Sequence, residues 1–333
     1  MKVWDIHSHA LLQMFYLKKD LTKRGNPPFF WNPLKSHIDL SRIRDGDVNC
    51  LTFAVYVPFR IRSGNYFEEA LKMVNLLEEF AEQNMDKIEI PKTASDIERI
   101  IQGGRLAATV AVEGGHILEG RVENLETLKQ KGVIYITLTH LHSNNIAESS
   151  FLRLHRARGL TDFGREVVME MERLGILIDV AHCSERAFWE VLEITNAPII
   201  YTHGGVRRYC DIERNLSDTQ IKALSERGGI IGITFFPFYL RKWSLFGGIP
   251  LFVRVVEHVA DIAGIGSIAI GSDFDGWIWT LRDVKDISDT WKVAAALRQT
   301  FSEEEVKKVL FENVRQILPK EYRIQNTGKK ENF

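Results

Sequence analysis

The chain has 333 residues, 45% hydrophobic and 26% charged, the profile of an ordinary globular protein with ample sequence to bury a core. A formal net charge of −1, from 43 Lys and Arg against 44 Asp and Glu, excludes a global field that would draw it to nucleic acid or an anionic membrane. Cys50, Cys183 and Cys210 show no CxxC spacing and make no disulfide framework, no run of 18 apolar residues offers a membrane span, and neither end reads as a signal peptide or lipid anchor, so a soluble, cytoplasmic protein is expected.

Short apolar runs rich in β-branched residues recur along the chain. They are Lys2–Ile6, Val48–Val57, Leu106–Val112, Val133–Thr139, Gly175–Val180, Pro198–Thr202, Gly229–Phe235 and Ser267–Gly271. Most lack strict alternation, as strands covered on both faces do. Helical patterns fill the intervals, among them Phe67–Gln83 and Asp162–Leu174, and Ser217–Gln220 and Ser302–Glu305 read as capping boxes opening helices. Eight strands alternating with helices predict a (β/α)8 TIM barrel, a single catalytic domain over 1–333. Two connections break the rhythm. Leu11–Asp47, after the first strand, is long and rich in aromatics and Pro, and is expected to fold over the barrel mouth. Ser143–Arg158 is polar and basic and reads as a second, mobile loop.

Polar residues stand at the strand ends. His7 and His9 follow the first run, Glu113 the third, His140 the fourth, His182 the fifth, His203 the sixth and Asp273 the eighth. In a parallel barrel these ends open onto one face, where active sites lie. Any single histidine closing an apolar strand is more often a hydrogen-bonded core residue than a ligand. Six different strand ends bearing His, Glu or Asp on one face are not explained that way. Imidazole and carboxylate donors without thiolate point to Zn2+, with Mn, Fe, Co or Ni as substitutes, and Glu113 is the central carboxylate able to bridge two ions. Adjacent residues of a strand face opposite ways, so Cys183 beside His182 reads as a buried structural thiol. His37, His116, His142, His155 and His258 have no comparable placement and read as structural or surface residues.

At this point a resemblance is specific. The segments Asp5-Ile-His-Ser-His9, Val112-Glu-Gly-Gly-His116, Leu138-Thr-His140, Gly159-Leu-Thr-Asp-Phe-Gly164 and Leu177-Ile-Asp-Val-Ala-His182 resemble the membrane (renal) dipeptidase family of the amidohydrolase superfamily. So do Ala197-Pro-Ile-Ile-Tyr-Thr-His203, Arg214-Asn215 and Gly271-Ser-Asp-Phe-Asp-Gly276, and the likeness runs in order from Val3 to Leu318. The resemblance implies a two-zinc dipeptidase in which His7 and His9 bind one metal, His182 and His203 the other, and Glu113 bridges them. It implies Asp273 as the acid/base carboxylate, and His140 and Arg214 as substrate contacts. The chain departs from the family in three places: His9 stands where the family carries Asp, Leu51-Thr-Phe-Ala54 where it carries Gln and aromatics, and Thr234-Phe-Phe236 where it carries a Tyr. The last two are expected to fall near the substrate.

The expected reaction is attack of a hydroxide bridging two divalent cations on the amide of a dipeptide or related small amide with a free carboxylate. Asp275 is a second carboxylate close to Asp273; Asp273 comes first after the strand, and Asp275 is expected further out. The alternatives are another amidohydrolase substrate (an N-acyl amino acid, lactone, cyclic amide or phosphoester) or a non-catalytic metal-binding barrel. A phosphoesterase pocket is expected to offer several Arg or Lys groups to phosphate, and only Arg207, Arg208 and Arg214 cluster here. No nucleic-acid or membrane partner is expected, and a homodimer is compatible with the sequence.

Overall fold

The computed structural model describes residues 1–25, 36–59, 64–151, 159–242 and 247–318. Its strands are β1 (Trp4–Ser8), β2 (Cys50–Val55), β3 (Ile88–Glu89), β4 (Leu106–Glu113), β5 (Val133–Thr137), β6 (Leu177–Asp179), β7 (Ile199–Gly204), β8 (Ile230–Ile233) and β9 (Ile268–Ile270). All pairings are parallel. β1 pairs β2, β2 pairs β4, each of β4 to β8 pairs the next, and β9 returns to β1, closing an eight-stranded barrel. The two-residue β3 lies outside that cycle, flanking the start of β4 at Leu106 and Ala107. The eight predicted runs are the eight barrel strands, each trimmed or shifted by a few residues; His7 lies inside β1, and Glu113 and His203 inside β4 and β7.

The barrel fills by alternation. One buried cluster takes a side chain from every barrel strand: Trp4, Ile6, Cys50, Ala107, Ala111, Tyr135, Leu177, Ile200, Ile230 and Ala269, joined by Phe311 and Val314 from the C-terminal helical turns. Their neighbours, such as Leu51, Phe53, Val110, Val112, Ile231 and Ile270, pack outward against the helices. Small residues at 107, 111 and 269 make room for Trp4, whose indole meets the Phe311 ring at 5.9 Å between centroids.

Both predicted capping boxes form, and a third opens Ala94–Gln102 through Thr93 and Asp96. Leu11–Asp47 is not one long loop: it contains most of the helix Ala10–Leu17 and all of Leu40–Asp45, while 26–35 lies outside the described residues. Arg42 is buried between Asp39 (2.6 Å) and Asp286 (3.1 Å), which fastens this connection to the segment after β9. The described part of Ser143–Arg158 is no loose loop either. Ile146, Ala147, Ser149 and Ser150 are buried, and Ala147 and Ser149 bridge to Leu160 and Cys183; 152–158 lies outside the described residues. No helix among the described residues is long and apolar enough to cross a membrane.

Candidate active site and metal centre

Two irregularities in the strands aim the site. From Asp5 to Ser8, β1 advances three residues while β2 advances two, from Leu51 to Phe53. β7 does the same from Tyr201 to Gly204 against Ile231 to Ile233. An extra residue flips the alternation beyond it. Trp4 and Ile6 face the interior below the first irregularity, yet His7 and His9 reach the same mouth above it. Ile200 is interior, yet so is His203. β4 needs no such shift, since Ala107, Ala111 and Glu113 share one face by simple parity.

Glu113 is the hub, buried at 1% exposure. Its Oε1 lies 3.5 Å from His7 Nε2, 3.2 Å from His182 Nε2 and 3.3 Å from His203 Nε2. Its Oε2 lies 3.2 Å from His9 Nε2 and 3.5 Å from His140 Nε2. The imidazoles approach in pairs, His7 to His9 at 3.3 Å and His182 to His203 at 2.9 Å between Nε2 atoms. Donor atoms of His7, His9 and Glu113 lie close enough to share one ion, as do those of Glu113, His140 and His182 and those of His7, His203 and Asp273. Nitrogen and carboxylate donors so placed suit a divalent transition metal. Glu113 Oε2 is buried and makes no well-aligned hydrogen bond among the described residues, which fits the same reading.

Outer hydrogen bonds fix the tautomers of two of these rings. The Tyr135 hydroxyl donates to Ile6 O at 2.9 Å, so it accepts from His7 Nδ1 at 2.8 Å. The Thr202 hydroxyl donates to Asp179 Oδ2 at 2.7 Å, so it accepts from His203 Nδ1 at 2.9 Å. Each ring then presents a bare Nε2 lone pair to the centre. Asp179 organises the floor: Thr137, Asp179 and Thr202 continue the interior faces of three successive strands, and the Thr137 hydroxyl also donates to Asp179 Oδ2 at 2.5 Å. Asp5 accepts from the backbone of His7 and from the backbone and hydroxyl of Ser272. Burial pushes the Asp5 carboxyl up to about 6, its hydrogen bonds opposing. None of these supporting residues was singled out from sequence; a polar residue inside an otherwise apolar strand is the signal that marks Asp179, Thr137 and Thr202.

The charges sort themselves. Burial would raise the Glu113 carboxyl, but attraction by His140, His7 and His9 holds it well below the usual carboxylate range. Burial keeps His182 and His203 well below an ordinary histidine and takes His140 down to about 4. His9 goes the other way: burial lowers it, but Glu113 and Asp273 together lift it to about 10.

Asp273 stands where the sequence placed it, with Oδ1 3.3 Å from His9 Nε2. Its N–H donates to His7 O at 3.0 Å, and the His9 N–H donates to Phe274 O at 2.7 Å, so the turn after β9 is sewn to the end of β1. Asp273, Asp275, Trp277 and His182 all adopt left-handed φ, between +58° and +65°, a strained conformation for non-glycine residues of the kind that collects at functional sites. Asp275 is not further out. It is fully buried and turned from the metal donors, accepting from the His37 N–H at 2.5 Å and contacting His37 Nδ1 at 3.0 Å and Ser36 Oγ at 3.1 Å.

Arg214 is no surface charge; it is 5% exposed. Its guanidinium donates to the Tyr201 hydroxyl (2.8 Å) and His203 O (2.6 Å) and lies 5.2 Å from both the Tyr201 and Tyr239 ring centroids. Its Nε has no partner, and no carboxylate among the described residues lies within 4 Å of it. Arg207 instead pairs with Glu185 at 2.9 Å, and Arg208 is exposed, so the expected basic trio does not converge on the pocket. Leu51–Ala54 is buried within β2, and the residue just beyond it that packs against the site is Tyr56, 4.4 Å from the His140 ring and edge-on to His9 at 6.0 Å. Phe236, by contrast, is half-buried at the rim. Cys183 is buried, its thiol pushed up to about 12 by burial. Away from the metal donors, His116 contacts Val57 O, His142 stacks on Phe59 and His258 meets Asp218; His155 lies outside the described residues.

Comparison with known proteins agrees with this geometry. Dipeptidase tcpJ of Claviceps purpurea is 30% identical over 295 residues, covering 86% of this chain and 69% of that protein. The solved dipeptidase AC, a metallopeptidase of family M19, shares the fold with a TM-score of 0.87 at 24% identity, over 97% of this chain and 99% of its own. A metallopeptidase from Rhodobacter sphaeroides, solved with a phosphinate mimic of the dipeptide L-Ala-D-Ala, gives 0.87 at 23% identity over 95% and 98%. The profile of the membrane dipeptidase family spans residues 1–331. The chain therefore belongs to the membrane dipeptidase family, peptidase family M19, and is a metal-dependent peptidase of that family.

Proposed function

We propose that the chain hydrolyses the amide bond of dipeptides, with two divalent cations, zinc by donor type, held by His7, His9, His182 and His203 and bridged by Glu113. The observation that carries the reading is Glu113 ringed by imidazole nitrogens at 3.2–3.5 Å, with Asp273 and a buried Arg214 that has no ion pair among the described residues at the same mouth. When bound, the cations supply Lewis acidity and a water of lowered pKa. Arg214 takes the substrate carboxylate, since a buried guanidinium with an unpaired Nε needs an anion that the described residues do not provide. His140, neutral at physiological pH, donates a hydrogen bond to the carbonyl oxygen as negative charge develops there. Asp273 accepts the proton of the attacking water and returns it to the leaving amine. Tyr135, Thr202 and Asp179 keep the ligands aimed.

The test is metal content measured alongside hydrolysis of a dipeptide panel that includes D-residues at the C-terminal position. About two metals per chain with dipeptide cleavage is the expected result. Two metals without cleavage would reject the substrate assignment and leave other amides and lactones, and a chain that binds no metal would reject the centre itself.

A further inference from the structure

The mouth is not uniform. Beside Arg214 an unbroken run of aromatic rings leads from the interior to the rim. Tyr239 lies against the guanidinium, 5.2 Å from ring centroid to Cζ. Burial, together with Asp273 and Glu113, raises its hydroxyl, while Arg214 opposes, which puts Tyr239 within electrostatic reach of the metal donors. Phe236 meets Tyr239 edge-on at 4.9 Å and Phe238 at 5.2 Å, and Phe238 meets Trp279 at 5.5 Å. Phe236, Phe238 and Tyr239 are half-buried, and Trp279 is 39% exposed. The wall draws on two separate connections, the one after β8 and the one after β9, and the first is anchored. Asn215 donates to Tyr239 O at 2.7 Å, and the Cys210 thiol to Phe238 O at 3.3 Å.

We infer that the wall of Phe236, Phe238, Tyr239 and Trp279 is the specificity surface for the side chain of the substrate's C-terminal residue, and that it selects large apolar or aromatic side chains. This rests on the dipeptidase reading above. A carboxylate held on Arg214 fixes the α-carbon one bond away, and that residue's side chain then has Tyr239 and Phe236 beside it. Aromatic faces reward apolar area and ring–ring contact, whereas a glycine there leaves the wall wet. Ordinary charged-residue selection would need a charge on this side. Among the described residues, the wall offers none beyond Arg214, which the carboxylate occupies.

The test compares kcat/KM for Ala-Gly with that for Ala-Phe, in both stereoisomers of the C-terminal residue, in the metal-loaded wild type, Phe236→Ala, Phe236→Leu and Trp279→Ala. The wild type is expected to favour a C-terminal Phe by about ten-fold or more. Phe236→Ala should lower that Phe/Gly ratio about ten-fold, Trp279→Ala less, and Phe236→Leu should restore part of it. Trp291→Ala, an exposed tryptophan on the helix Thr290–Leu297, should leave the ratio unchanged. A wild type that favours Ala-Gly, or wall variants in which both substrates fall equally, would overturn the inference while the dipeptidase reading stands. Failure to cleave any dipeptide would overturn that reading, and this inference with it.

Discussion

Gly276 is the most informative single position to perturb. A Cβ there would fall inside contact distance of Asp273 Oδ1 and 2.9 Å from His9 Cδ2. Gly276 is not among the residues with positive φ, so alanine meets no φ strain and the conflict is steric, with the Asp273 backbone oxygen at 3.0 Å adding to the two side-chain contacts. Relieving it requires the Asp273 carboxylate to withdraw by about 1 Å, and a misplacement of that size at a reacting group costs on the order of 100-fold in turnover, about 3 kcal/mol. The fold should scarcely notice, because Gly→Ala at a compatible position gains about 0.4–1 kcal/mol from the unfolded chain. Gly276→Ala is therefore expected to unfold within a few degrees of wild type, to bind metal somewhat more weakly because His9 must also give way, and to lose roughly two orders of magnitude in kcat with little change in KM. Steady-state kinetics with metal analysis and a thermal melt on the same preparation read all three. A Gly276→Ala enzyme with kcat within about three-fold of wild type would show that Asp273 need not stand where it does, and would remove it from the chemistry.

The remaining predictions concern the proton, the substrate anion and the metal. Asp273→Asn should retain metal and lose most turnover, since the amide keeps the shape but cannot carry the proton; unimpaired kcat would sink the assigned role. Arg214→Ala should raise KM selectively for substrates with a free C-terminal carboxylate, with little difference for their C-terminal amides, and an unchanged KM would remove Arg214 from the pocket. His37→Ala should lower kcat more than it raises KM, because His37 holds Asp275, two residues beyond Asp273, and an unaltered kcat would confine the pair to stability. Metal uptake should release a proton. With His9 lifted to about 10 in the metal-free protein, its ring is protonated below that pH and must shed the proton to bind, so affinity should rise with pH up to about 10. The same shift stabilises the metal-free fold fully below the unfolded value of about 6.5, and that contribution fades as pH rises through about 10. Metal titration in weakly buffered solution with a pH indicator checks the release, and no proton on uptake at pH 7 would contradict it.

Much was legible from the chain alone, and for a definite reason. A parallel barrel collects all its C-terminal strand ends on one face, so noticing His, Glu or Asp at those ends was enough to assemble His7, His9, Glu113, His140, His182, His203 and Asp273 into one site. Helix starts were equally local: the Ser217 and Ser302 capping boxes satisfy backbone donors within three residues. What could not be read was whatever depends on partners distant in sequence. Leu51–Ala54 looked like mouth residues, yet it is Tyr56, just beyond them, whose ring packs against His140 and His9. Asp275 looked like a rival to Asp273 until His37, 238 residues away, was seen to occupy it.

The sequence by itself determined the class of fold, the family, and which residues gather at the mouth, because hydrophobic periodicity and strand-end chemistry are short-range properties of the chain. Only the tertiary structure decided how those residues face. Simple alternation from Trp4 and Ile6 would turn His7 and His9 away from the centre; the extra residue that β1 carries against β2 turns them in, and a second one in β7 does the same for His203. Register between neighbouring strands is set by their mutual packing, so no single strand's sequence could announce it.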